Sequence, residues 1–328
     1  MKPIFLVFSL FVLIYSCEPQ HKNTKISGPV FGTSYGITYY SETKKDFRKS
    51  FDSLFSVINK SLSTYKEDSD ISKINRNEVT TIDDHFKAVF NASKQIYDET
   101  QGMFDPTIGA VVNAWNFGPK GKVIGLDELK IDSLMASVGF DKVQLVGDKV
   151  IKENPITFID FNAIAKGYGV DVVSQFLESQ NIENYIVEIG GEIRCKGINM
   201  EKQKPWKVGV EKPNFDGTQS LIKSIDMHDE SMATSGTYRK FSTDENGNRY
   251  SHIIDTKTGY PSKTNLLSIS VIADNCMAAD AYATAFEAMG IEKVKMFLEQ
   301  HPELKVFLIF ENDINTLETL TLNGFPEE

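Results

Sequence analysis

Pro155-Ile-Thr-Phe-Ile-Asp160-Phe-Asn-Ala163-Ile-Ala-Lys166-Gly167-Tyr-Gly169-Val-Asp171 reads as a buried strand that ends on a carboxylate and turns through small residues into a helix. Ile156, Phe158, Ile159 and Phe161 favour strand and follow a proline. From Ile164 the apolar positions take helical spacing: Ile164, Tyr168, Val172 and Phe176, with Leu177 beside the last. Asp160 and Lys166 then flank a helix mouth whose free N–H groups favour phosphate. Neither the P-loop spacing nor the dinucleotide glycine pattern is present. Two readings stand at this point, a phosphate-binding mouth or a core strand–helix unit with a solvated lysine.

Upstream, Lys2 precedes a twelve-residue run, Ile4 to Tyr15, broken only by Ser9. That run is too short for a bilayer span and suits a signal-peptide core. It ends in Ile14-Tyr15-Ser16-Cys17, which resembles a bacterial lipobox and implies cleavage before Cys17 and lipidation of its thiol. The expected organisation is a signal peptide over 1–16, a lipidated tether over 17–28 and one domain over 29–328. The mature protein is expected to be exported, lipid-anchored to a bacterial membrane and facing the periplasm.

Cys195 and Cys276 are then the only cysteines of the mature domain. They are too few for a disulfide framework and lack metal spacing, leaving buried thiols or a single bridge. Net charge is −10, with acids and lysines interspersed and no basic–aromatic platform, which argues against nucleic acid as a partner. An acidic chain that binds a polyphosphate needs local countercharge: a divalent cation, a lysine or a helix N-terminus.

Helical spacing marks Phe47 to Leu62, Phe86 to Tyr97 (capped by Asp83 or Asp84), Asp127 to Val138 and Met277 to Gln300. Strands are expected at 30–40, 143–146, 150–152, 156–161, 184–189, 192–196, 206–211, 221–227, 250–254 and 267–273. A closing hairpin is expected from 304–310 and 315–322. Grouped strands with interspersed helices predict an α+β fold, with mixed, mainly antiparallel sheets and flanking helices.

Several segments carry candidate chemistry. In Ala273-Asp274-Asn-Cys-Met277-Ala-Ala-Asp280-Ala-Tyr-Ala283-Thr284-Ala285, Asp280 and Thr284 share a helix face. A carboxylate plus a hydroxyl suits Mg²⁺ rather than zinc, and five alanines between 278 and 285 leave room for something large. An alanine-rich packing helix is the plainer alternative. Ser251-His252-Ile-Ile254-Asp255-Thr256 places a histidine at the start of an apolar strand, two residues before Ile254 on the same face. His252 is either structural or catalytic. Ser231 to Arg239 reads as a polar binding turn or an ordinary hairpin. Gly102-Met103-Phe104-Asp105-Pro106-Thr107 pairs an aromatic with a carboxylate, and Ser63-Thr64-Tyr65 ends a helix on an aromatic. Packing is the alternative for both.

Taken in order, these segments resemble the FAD:protein FMN transferases, the ApbE-type flavin transferase family, from about Gly28 onward. Further marks are Gly28-Pro-Val-Phe31-Gly32-Thr33, Trp115-Asn-Phe-Gly118, Glu188-Ile-Gly190-Gly191-Glu-Ile-Arg194, Trp206-Lys-Val-Gly209 and Thr234-Ser235-Gly236. The resemblance implies an ApbE-like fold with its ligand site in a cleft between sub-domains. It places Phe31, Tyr65, Met103, Phe104, Asp105, Asp160, Lys166 and Ile254 on FAD-contacting positions. Ala163, through its carbonyl, Asp280 and Thr284 fall on magnesium positions. Phe31 stands where the family usually has methionine. Phe161-Asn162-Ala163 replaces a common Leu-Gly-Gly, and Thr256 a common proline.

The implied reaction is Mg²⁺-dependent transfer of FMN from FAD to a threonine or serine hydroxyl of another exported or membrane redox-type protein, releasing AMP. His252 is the expected base, with Asp255 as orienter or second metal-side carboxylate. Alternatives are an FAD pyrophosphatase giving FMN and AMP, a non-catalytic flavin-binding lipoprotein, or a structural surface lipoprotein.

Overall fold

A computed structural model describes residues 22–78, 81–121, 123–238, 241–243, 249–312, 314 and 316–327. The expected signal peptide, Cys17 and Arg239 lie outside them. The chain opens with β1 (Lys22–Val30), β2 (Thr33–Ser41), α1 (Arg48–Leu62), α2 (Asp70–Asn75), α3 (Asp84–Glu99), α4 (Gly109–Ala114) and α5 (Glu128–Met135). It continues through β3 (Val143–Val146), β4 (Lys149–Lys152), α6 (Ala165–Ser179), β5 (Tyr185–Ile189), β6 (Glu192–Lys196), β7 (Trp206–Glu211) and β8 (Leu221–Met227). Last come β9 (Ser231–Gly236), β10 (Phe241–Thr243), β11 (Arg249–Ser251), β12 (Leu266–Ala273), α7 (Cys276–Met289), α8 (Ile291–Leu298), β13 (Lys305–Glu311) and β14 (Leu317–Leu322).

An eight-stranded antiparallel sheet, ordered β1-β2-β5-β6-β9-β12-β13-β14, is the spine of this α+β fold. Alternation along its strands makes two faces. Tyr35, Ile37, Val187, Ile189, Ile269, Val271, Val306 and Leu308 pack toward the cores that contain residues of α1, α3, α6 and α7. Met232, Ile272, Phe307 and Ile309 face the other way, under the β7–β8 hairpin with Trp206, Val208 and Ile225. Every residue of β12 is buried, as expected for a strand covered on both sides. A smaller core of Val111, Val138 and Ile254 joins α4, α5 and the 252–261 loop into a separate lobe.

The structure departs from the sequence reading at identifiable points. Residues 22–28 are not tether but most of β1, because Thr24 and Ile26 alternate into the interior. Residues 156–161 form no ladder strand. The Asn75 side chain takes both the N–H and the C=O of Ile159 at 2.8 Å, and Asp160 N–H donates to the Pro106 carbonyl at 2.8 Å. A side chain and a loop satisfy the backbone that a neighbouring strand would have paired. Ser231–Gly236, read as a turn or hairpin, is a central strand. The 277–300 helix breaks at Gly290, whose φ of 75° interrupts it. Cys195 and Cys276 are free and buried. Among the described residues, no helix is long and apolar enough to cross a membrane.

Candidate active site

A cavity of about 830 Å³ lies between the main sheet-and-helix body and the smaller lobe. That is the upper range for small-molecule sites. Its walls include Phe31, Tyr65, Met103, Phe104, Asp105, Asp160, Ala163, Lys166, His252, Ile254, Asp280 and Thr284. Segments more than two hundred residues apart in sequence thus meet on one space.

The charged floor comes from the close approach of α6 and α7. A Cβ on Gly167 would lie 2.2 Å from the Cys276 carbonyl oxygen, so only glycine permits this spacing. Asp171 fixes it from the next turn, accepting from Cys276 N–H at 3.0 Å, Met277 N–H at 2.8 Å and Arg194 Nη1 at 2.9 Å. This docks the start of α7 against α6 through a carboxylate at a helix N-terminus. Burial still raises the Asp171 carboxyl above the ordinary range, against those donors.

On that floor Asp280 is buried and accepts Gly167 N–H at 3.0 Å. Lys166 Nζ lies 3.7 Å from Asp280 Oδ1 and 2.5 Å from Glu192 Oε1. Burial pulls the Lys166 ammonium down, but Asp280 and Glu192 outweigh it and hold it above the ordinary lysine value. Glu192 is pushed up to about 7 by burial, with Lys166 opposing and Asp280 adding to the rise. Its Oε2 is buried without a hydrogen-bond partner among the described residues. Thr284, one turn beyond Asp280, shares a 3.2 Å hydrogen bond with Ser235 of β9. No three His, Cys, Asp or Glu side chains gather as a metal cage among the described residues. The donors on this floor are oxygens, the class that hard cations take.

The upper walls are more apolar. Phe31 forms the first corner of the β1–β2 turn at φ 47°, followed by Gly32 at 76°. Two consecutive positive φ values match the tight hairpin turn that suits strand twist. Phe31 packs edge-on against Phe55, and Gly169 makes room for its ring. Tyr65 is 60% exposed at the rim. Asp105 is held by the N–H of Thr107 at 2.8 Å and its hydroxyl at 2.6 Å, yet burial pushes it up to about 6. Asp160 accepts from the backbone and side chain of Asn162 at 2.8 and 3.1 Å. His252 lies edge-on to Phe117, ring centroids 6.2 Å apart.

Asp255 alone among the expected site residues is not on the cavity wall. Its carboxylate accepts the N–H groups of Lys257 and Thr258 at 2.8 and 3.2 Å, organising the turn that follows. Thr256 and Lys257 donate to the carbonyls of Gly102 and Gln101, tying this loop to the segment that carries Met103, Phe104 and Asp105.

The model of the ApbE family matches residues 31–308. The chain belongs to the ApbE family. It is 35% identical over 322 residues to the FAD:protein FMN transferase of Vibrio cholerae, spanning 95% of each chain. With the protein of the same name from Haemophilus influenzae it shares 36% over 326 residues, 95% of this chain and 93% of that one. The flavin transferase ApbE structure from Vibrio cholerae superposes with a TM-score of 0.82 at 34% identity, covering 92% of this chain and 97% of that one. The ApbE protein of Thermotoga maritima gives 0.79 at 27% identity, over 90% and 96%. This ApbE chain is therefore a transferase-class enzyme.

Within the ApbE site, Glu192 is a buried charged residue that the sequence reading gave no role. The Gly190-Gly191 corner, with φ of 64° and 106°, sets it at the first position of β6. An acidic residue directly after a double glycine between two short strands was the available signal. Ser235 was likewise seen only as part of a turn.

Proposed function

We propose that this enzyme transfers the FMN moiety of FAD to a threonine or serine hydroxyl of an acceptor protein and releases AMP. The observation that carries this reading is the placement of Asp280, Thr284 and Lys166 on the floor of a cavity walled above by Phe31, Tyr65 and Phe104. A flavin dinucleotide needs an apolar surface for its rings and countercharge for its pyrophosphate. Asp280, Thr284 and the Ala163 carbonyl would hold Mg²⁺, and the orphaned buried oxygen of neighbouring Glu192 fits a cation-rich floor. A magnesium ion there supplies neutralisation of the pyrophosphate and of the departing AMP.

The chain's own groups do the remaining work. Lys166, on the cavity wall, presents its ammonium to the phosphates. Tyr65, Met103, Phe104 and Ile254 offer surface to the flavin, while Asp105 and Asp160 orient its polar edges. His252 takes the proton of the acceptor hydroxyl as its oxygen bonds to the FMN-side phosphorus. The bond from that phosphorus to the bridging oxygen breaks, and AMP carries the bridging oxygen away.

We propose in addition that Cys17 carries a lipid, anchoring the enzyme on the periplasmic side of a membrane where an exported or membrane redox-type acceptor is met. The decisive test of the reaction uses the protein with FAD, Mg²⁺ and a candidate acceptor domain. The proposal expects AMP by chromatography and an FMN-sized mass gain on the acceptor. Free FMN without that gain means hydrolysis instead, and bound FAD with neither product means a binding protein.

A further inference from the structure

We infer that Glu192 is a positioning residue: it draws the Lys166 ammonium onto itself and so keeps the Asp280 carboxylate open to a divalent cation. The inference rests on the Mg²⁺-dependent reading above. Lys166 has two buried carboxylates to choose between, and the separations are unequal, 2.5 Å to Glu192 and 3.7 Å to Asp280. The exposures of the two acidic side chains are nearly the same, 4% and 6%, so desolvation does not decide the preference. Geometry does. The Gly190-Gly191 corner and the β5–β6 register aim Glu192 at the ammonium. Asp280 is turned by the hydrogen bond from Gly167 N–H to its Oδ2. Its Oδ1 is left beside the ammonium without a hydrogen-bonding contact to it.

A lysine bonded directly to Asp280 would compete with a cation for the same oxygens, since each neutralises the same charge. With Glu192 uncharged, Asp280 is the nearest remaining partner, and the flexible lysine stem permits the ammonium to close the gap. Groups that orient a metal ligand from behind typically change affinity about 10–100-fold when lost.

The test is a double-mutant cycle read by calorimetric titration of Mg²⁺ into the FAD-loaded protein, with no turnover involved. Glu192→Gln is expected to weaken Mg²⁺ binding at least tenfold. Adding Lys166→Met removes the competing ammonium and should return the affinity to near the wild-type value, although transfer is lost. This rescue separates positioning from direct ligation and from a merely structural role. The neutral double variant leaves no unpaired charge at either position, so it serves where the single variant does not fold. Wild-type affinity in Glu192→Gln, or a tenfold loss in the double variant, overturns the inference. Absence of Mg²⁺ binding by the wild-type protein instead removes the reading on which it rests.

Discussion

Gly167 and Cys276 approach so closely that a methyl group on the glycine would lie 2.2 Å from the cysteine's carbonyl oxygen. The contact is backbone to backbone, so no side chain can swing aside. It sets how far Lys166, on α6, stands from Asp280, on α7. Gly167→Ala is therefore expected to destabilise by about 3 kcal/mol, the upper end of overpacking costs, or more. Thermal unfolding should show a Tm lower by roughly 5–10 °C. FAD binding should weaken with it. A variant with unchanged Tm and affinity would show that α6 and α7 are free to separate.

How much of this was legible in the sequence depended on who supplies the hydrogen bonds. Helices α1 and α3 announced themselves through apolar spacing and, for α3, through Asp83, whose side chain caps Phe86 N–H at 2.8 Å. Residues 156–161 look equally clear, but strand formation requires a neighbour, and Asn75 is that neighbour's substitute from eighty-four positions upstream. Strand β9 failed the opposite way. Its Ser-Met-Ala-Thr-Ser-Gly composition reads as a turn, yet Thr234 and Ser235 hydrogen-bond to Ser270 and Thr284, and small side chains let α7 lie against the strand. Local pattern singled out Asp160, Lys166, His252, Asp280 and Thr284 on the cavity wall, while Phe31, Ala163 and Ile254 came only with the family resemblance. Asp255 was carried along with His252 because adjacency in sequence conceals that its carboxylate turns back onto its own loop. Glu192 was missed because nothing local marks the lysine it faces.

Buried acid chemistry also predicts a pH dependence from a carboxyl that does not line the cavity. Glu287 on α7 is fully buried, and neither carboxyl oxygen has a hydrogen-bond partner among the described residues. Burial pushes its pKa well above the ordinary 4.5. The folded form thus keeps a proton that the unfolded chain loses above about 4.5. Its contribution to stability is present below that pH and is lost as pH rises toward the folded value. Within that window the loss is about 1.4 kcal/mol per pH unit. Glu287→Gln abolishes this slope while keeping the shape. The variant should match wild type near pH 4 and exceed its Tm at pH 8. Parallel Tm curves across that range would contradict the assignment.

At the N-terminus the prediction is chemical rather than conformational. Met1–Ser16 is expected to be removed and Cys17 acylated, with β1 beginning at Lys22, so only a few residues separate the lipid from the folded sheet. Cys17→Ser should yield protein without the lipid mass increment, shifting from the detergent phase to the aqueous phase on phase partition. Flavin transfer by the soluble variant to a soluble acceptor domain should be unaffected. Unchanged partition would mean that the apolar run is kept as an anchor.

The base role proposed for His252 can be separated from binding. It lines the cavity between Phe117 and the Ile253–Ile254 segment, on a loop held by the hydrogen bonds of Thr256 and Lys257 to Gly102 and Gln101. That anchoring belongs to the residues after it, so His252→Ala should leave the loop, and the proposed flavin surface of Met103 and Phe104, in place. General-base catalysis contributes about 10²–10⁴-fold, and a threonine or serine hydroxyl has little nucleophilicity without it. Single-turnover transfer should fall by that factor, while FAD affinity measured by flavin fluorescence changes less than about threefold, since the lost interaction acts only in the transition state. Transfer at the wild-type rate would take the proton away from His252 and assign it elsewhere on the cavity wall. A parallel collapse of FAD affinity would make the imidazole a binding group instead.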